Sequence, residues 1–189
     1  MNKIRLILAI ILGISLSLIS LGDVKASAKT SIGFKTKSAI SFEKREVKSE
    51  TKAEHFTLED QFGNKIGIKF PSNKVVVLVF GDRKGSEQVE GWVRPLYEKY
   101  TDQVYIFGIA ELSVVPWAVR PVVRGIIKSK SKAPVMLDWT GKVAKSYGCE
   151  KGKANVFVVS KEGKVIEVKR GAANSGGLNN LYSVINSAL

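Results

Sequence analysis

The residues best placed to do chemistry lie in the run Gly81-Asp82-Arg83-Lys84-Gly85-Ser86-Glu87-Gln88, where carboxylates, cations and a hydroxyl lead into a predicted helix. Backbone N–H groups at a helix start attract anions, and Arg83 and Lys84 would strengthen the attraction. One reading of the run is therefore an anion or carboxylate site built from Asp82, Arg83, Lys84, Ser86 and Glu87. The other is a solvated turn in which Ser86 serves as N-cap and Glu87 favours the first turn through the helix dipole.

The single cysteine, Cys149, stands far downstream of this run. It has no partner for an internal disulfide, so it is either a small buried apolar side chain or a free thiol. A thiol enzyme would need an exposed Cys149 of low pKa beside a cation such as Lys151 or Lys153. His55 is the only histidine and sits at the edge of the folded region, which excludes a His-rich metal site and disfavours a Ser-His-acid triad. The span 81–86 lacks the length and the lysine of a phosphate-cradling loop, so neither metal nor cofactor is expected. A third candidate is the segment 112–127, where Trp117, Arg120 and Arg124 stand among valines and isoleucines. Two arginines four residues apart beside an aromatic suit a helix that faces a partner or a lipid surface. They equally suit a helix packed on a sheet with its arginines in solvent.

The elements that would carry these residues follow from apolar spacing. Alternating apolars around Gly63-Asn64 predict a hairpin over 56–70. The unbroken run 75–80 suits a strand buried on both faces of a mixed or parallel sheet. Val89, Trp92, Val93, Leu96 and Tyr100 recur at helical spacing and predict an amphipathic helix over 87–100. A second buried strand is expected over 103–110 and a helix over 117–128, with Pro121 in its first turn or kinking it. A short strand at 135–138, a short helix at 142–147, a hairpin over 155–170 and a closing helix from 178, capped near Asn174 or Ser175, complete the order. Alternating strands and helices call for an α/β sheet covered on both faces.

The N-terminus is different in kind. Lys3 and Arg5 precede an apolar run over 6–19, and Ala26-Ser27-Ala28 offers small residues for cleavage. This predicts a signal peptide over 1–28, with an uncleaved membrane anchor as the competing reading, and hence an exported protein, periplasmic or secreted. Residues 29–54 are rich in Lys, Ser, Thr and Glu and read as a basic linker with too little apolar area to fold, apart from a short strand around Ile40 and Phe42. The folded domain then covers 55–189. The chain carries a net charge of +13, and losing Lys3, Arg5 and Lys25 against Asp23 leaves it strongly basic. That favours anionic surfaces, including membrane contact through the basic linker. The lysines are scattered, with no basic run interleaved with aromatics, so no nucleic-acid partner is expected.

Several ordered segments carry a resemblance. Phe56-Thr57-Leu58-Glu59-Asp60 with Gly63-Asn64-Lys65 resembles the opening of redoxin domains, the AhpC/TSA-type branch of the thioredoxin-like proteins. The run 75–80 resembles the strand entering their active site, and Pro134-Val135-Met136-Leu137-Asp138 with Gly141-Lys142-Val143-Ala144 their late strand and helix. Phe157-Val158-Val159 with Glu162-Gly163-Lys164-Val165 resembles their last hairpin. The resemblance implies a thioredoxin-like α/β fold: a central mixed sheet flanked by helices, with an N-terminal β-hairpin. Under it, the family's Cys-x-x-Cys falls on Gly85 and Gln88, a peroxidatic cysteine on or near Ser86, and the cis-proline on Ala154 or Lys153. None of those residues is retained. In this the chain is similar to the small exported YtfJ type, which also lacks the cysteine pair. The expected role is a non-catalytic binding or accessory module of the cell envelope, engaging an unknown protein or anionic ligand through the loop 81–88 and the helix around 117–127. The alternative is a thiol-disulfide oxidoreductase or peroxidase-related enzyme working through Cys149 alone.

Overall fold

The structure, a computed structural model, describes residues 51–189. The expected signal peptide, the strand around Ile40 and most of the basic linker lie outside the described residues. The end of that linker is engaged in the fold. Lys52 bridges to Lys164, the Ala53 N–H donates to the Gly163 carbonyl at 2.8 Å, and Ala53 is buried.

Seven strands form one mixed sheet. β1 (Phe56–Asp60) and β2 (Lys65–Ile68) make the expected N-terminal hairpin, and β3 (Val76–Gly81), β4 (Tyr105–Glu111) and β5 (Val135–Asp138) follow. β6 (Asn155–Val159) and β7 (Val165–Arg170) make the late hairpin. The spatial order is β2-β1-β5-β4-β3-β6-β7. β3, β4 and β5 run parallel, while the flanking pairs β1/β5 and β3/β6 are antiparallel. Every residue of β3 and β6 is buried, which explains their unbroken apolar sequence: both faces of the central strands are covered.

Side-chain alternation along β3 sorts the core into layers. Val75, Val77 and Val79 point to one face, where Val89, Trp92, Val93 and Leu96 of α1 (Ser86–Tyr100) meet Leu181 and Ile185 of α4 (Ser175–Ala188). Val76, Leu78 and Phe80 point to the other, where Met136, Phe157 and Ala144 of α3 (Lys142–Ser146) lie. Two large polar side chains on the first of these faces are paired. The Trp92 indole donates to the Gly171 carbonyl at 2.8 Å, and the Tyr100 hydroxyl donates to Asn186 Oδ1 at 2.9 Å. Asn174 caps α4, its side-chain oxygen accepting from the Gly177 N–H at 2.8 Å.

The helix expected over 117–128 divides. Trp117–Val119 forms a single 3-10 turn, and α2 (Arg120–Lys130) begins with Pro121 in its first turn, where the missing N–H costs nothing. Its inner side chains Val123, Ile126 and Ile127 pack on Leu112, Val135 and Leu137.

Candidate functional site

The carboxyl ends of the parallel strands meet beside the start of α1, the place where open α/β sheets commonly bind ligands. Asp82 organises this end. Its Oδ1 accepts from the N–H groups of Lys84 at 3.1 Å and Gly85 at 2.7 Å, and its Oδ2 accepts from the Gly152 N–H at 2.7 Å. The Asp82 carbonyl accepts from the Ser86 N–H at 2.8 Å. The chain's own carboxylate thus takes N–H groups that the anion reading left open, and an external anion would have to displace it.

Ser86 does not cap α1. Its buried hydroxyl donates to the Arg83 carbonyl at 3.0 Å, the N-cap residue is Gly85, and no side chain caps the helix. Glu87 lies exposed in the first turn, as expected; Arg83 and Lys84 are exposed beside it.

Gly85 and Gln88 hold the loop shut. A Cβ on Gly85 would stand 2.2 Å from the Lys153 carbonyl oxygen and 2.5 Å from its carbon. Gln88 lays its side-chain amide along the same segment: Nε2 donates to the Gly152 carbonyl and Oε1 accepts from the Ala154 N–H, each at 3.2 Å. Buried Asn155 fixes the segment from below, accepting from the Glu150 N–H and donating to the carbonyls of Glu150 and Lys153, all at 2.9 Å. Sequence reasoning missed Asn155 and the amide role of Gln88. A buried asparagine opening an otherwise apolar strand was the available signal.

Beside this closure lies a cavity of about 480 Å³, reached by Asp82, Glu111, Lys145, Cys149 and Lys151. Folding therefore brings Cys149 and Asp82, distant in sequence, to one pocket. Gly148, in the left-handed region, ends α3. The Cys149 N–H then returns to the Ala144 carbonyl at 2.9 Å and the Gly148 N–H to Lys145 at 3.0 Å, a Schellman turn that aims Cys149 inward. Cys149 is half-buried against the core on that face. Burial pushes its thiol up to about 12; Arg170 opposes this, while the Asp138 and Glu111 carboxylates add to it. The low-pKa thiol needed by the one-cysteine enzyme is not what this pocket makes. No three His, Cys, Asp or Glu side chains among the described residues are grouped to hold a metal ion.

Of the third candidate segment only Ser113 reaches the pocket, and its arginines are engaged by the fold and only partly exposed, where the packed-helix reading supposed them in solvent. Arg124 pairs with Glu59 of β1 at 3.0 Å, and Arg120 donates to the Trp139 carbonyl at 3.2 Å while its guanidinium lies 5.3 Å from the centre of the Trp139 ring. Both tie α2 to the sheet. Trp117 is left exposed.

The sequence matches no protein-family model and no curated protein. Solved structures do match. A putative thiol:disulfide interchange protein DsbE from Chlorobium tepidum superposes with a TM-score of 0.56 at 18% identity, covering 72% of this chain and 94% of that one. The pneumococcal exposed lipoprotein thioredoxin from Streptococcus pneumoniae gives 0.56 at 17% identity over 69% and 98%. StoA from Bacillus subtilis gives 0.54 at 18% over 70% and 96%. With the parallel β3-β4-β5 core, the helix that follows β3 and the late antiparallel hairpin, these likenesses establish that the chain has a thioredoxin-like fold.

Proposed function

We propose that this chain is an exported thioredoxin-fold binding module of the cell envelope that performs no thiol chemistry. The observation that carries this reading is the closure at Gly85. Where the resemblance puts the first cysteine of a redox pair, the Lys153 carbonyl leaves no room for any side chain. Gln88, at the place of the second, spends its amide on the backbone of Gly152 and Ala154. Disulfide exchange needs a thiolate to attack and a second thiol to resolve the product. Neither position supplies one, and the half-buried Cys149 keeps its proton at neutral pH.

Recognition is what such a site can still do. The pocket is lined by Ser113 and Thr140 and by charged groups of both signs, Lys145 and Lys151 with Glu111 and Glu150, and the exposed Trp117 offers a second surface. Export rests on the N-terminal pattern of charge, apolar run and small residues; the name of one structural neighbour, an exposed lipoprotein, agrees with it. The test is thiol-dependent reduction of peroxide and of a model disulfide by the purified mature protein beside a Cys149→Ser variant. The expected result is no turnover by either. Turnover that disappears in the variant would overturn the reading and favour a one-cysteine enzyme.

A further inference from the structure

The shoulder made by the turn Trp117–Val119 and α2 carries apolar side chains on two sides. The inner set closes the core around Leu112 and Leu137. The outer set has no such partner among the described residues: Val114 is 70% exposed, Trp117 81% and Val122 62%. Singly exposed apolar residues are ordinary, but large ones clustered in one short segment mark an interaction surface. The run 113–119 is uncharged throughout, and the outward positions Pro121, Val122 and Gly125 extend the same character along α2.

Charge within this segment has one sign, and a carboxylate that reaches it, Glu59 of β1, is paired with Arg124. Residues 112–132 contain Arg120, Arg124, Lys128, Lys130 and Lys132 and no carboxylate. The two arginines are occupied in holding α2, as described. Lys128 and Lys132 are exposed, and the Lys128 ammonium lies 5.7 Å from the ring centre of exposed Phe62. No helix of the described residues is long and apolar enough to cross a membrane, so the arrangement suits seating on a surface. An indole prefers the boundary between headgroups and acyl chains, and flanking ammonium groups reach lipid phosphates.

We infer that this shoulder docks on an anionic lipid bilayer, with Trp117 at the headgroup boundary and Lys128 and Lys132 on lipid phosphates. The inference rests on the binding-module reading and names its partner. Charge complementarity selects the lipid: a segment free of carboxylates meets a surface of uniform negative sign without repulsion.

Fluorescence of the full-length chain tests it. Tryptophan occurs only at positions 92, 117 and 139, so the apolar N-terminus contributes no signal even if it binds vesicles. Trp92 is buried in the core and Trp139 lies under Arg120. With vesicles of phosphatidylglycerol mixed with shallow-brominated phosphatidylcholine, the Trp117 emission is expected to shift blue and to be quenched. Trp117→Phe should abolish the quenched component. Lys128→Gln should weaken the lipid-dependent signal about fivefold, the effect of removing one interfacial cation. Emission untouched by anionic vesicles, or quenching equally strong with neutral lipid, overturns the inference; so does shielding of Trp117 by a protein partner alone. The turnover assay separates the two claims. Absent quenching without turnover removes only the lipid, whereas turnover lost in Cys149→Ser removes the module reading itself.

Discussion

Gly85→Ala isolates the contact on which the functional reading depends. Gly85 has φ −63° and ψ −27°, a right-handed conformation that alanine adopts freely, so the backbone offers no objection. Fewer unfolded conformations would on their own favour alanine by about 0.4–1 kcal/mol. Against this, the new methyl would sit 2.2 Å from the Lys153 oxygen, and ordinary contact requires the 152–154 segment to retreat by more than an ångström. That segment is held by hydrogen bonds from Gly152 to Asp82 at 2.7 Å and between Gln88 and both Gly152 and Ala154 at 3.2 Å. Overpacking of this kind costs about 1–3 kcal/mol. Weakening two hydrogen bonds adds about 0.5–1.5 kcal/mol each. The net expectation is a loss of about 1–6 kcal/mol, centred on about 3, or a fall in melting temperature on the order of 10 °C for a domain of this size. Thermal and urea unfolding would be compared with Gly125→Ala in α2, where a Cβ meets nothing within 4 Å. That control should gain about 0.5–1 kcal/mol from helix propensity. If Gly85→Ala is as stable as the parent, the loop is not closed on Lys153 and room exists for a thiol.

Cys149 should alkylate very slowly at pH 7 and faster with each step in pH, because burial holds its thiol up to about 12; a rate that levels off below pH ~8.5, the value of a free thiol, would refute this. The unfolded thiol ionises first, so its contribution to stability should be present below pH ~8.5 and lost as pH rises towards 12. Asp60 is expected to matter in the opposite direction. Burial pushes its carboxyl up, but the Asn64 side chain and the N–H groups of Asn64, Phe62 and Gly63 outweigh it and hold the group below its usual range. Its contribution is therefore present above pH ~3.9 and lost as pH falls through the lowered value. Asp60→Ala should cost about 1–3 kcal/mol at pH 7 by freeing the Phe62 and Asn64 N–H groups, which now donate to Oδ1 at 2.8 and 2.9 Å. Urea unfolding at pH 7 and at acid pH should show that cost shrinking with acid.

The layers of the fold were legible because they are local patterns. Val75 to Phe80 reads as a strand covered on both faces, and Val89, Trp92, Val93 and Leu96 read as one face of a helix; both elements formed where expected. The site was less legible because its contacts join distant residues. Ser86 has the composition of an N-cap, but its hydroxyl turns back to Arg83, while Asp82 collects N–H groups from the loop and from Gly152 across it. Arg120 and Arg124 look like solvent or partner groups from their spacing. Only the sheet order, which sets β1 beside β5, brings Glu59 within reach of Arg124. The end of the apparent linker joins the fold for the same reason: Ala53 is buried and its N–H donates to the Gly163 carbonyl, a neighbour no local pattern reveals.

Gly85 resting on the Lys153 carbonyl also entrenches the protein in its present chemistry. A cysteine introduced at 85 arrives with a collision before position 88 offers a thiol to pair with it. A cysteine introduced at 88 first removes the amide that bridges Gly152 and Ala154. Each single step weakens the fold and yields no reaction, so a redox pair is reached only by changing both positions together with the segment they face. Small substitutions can retune what this surface holds, but they meet a barrier on the way to electron transfer.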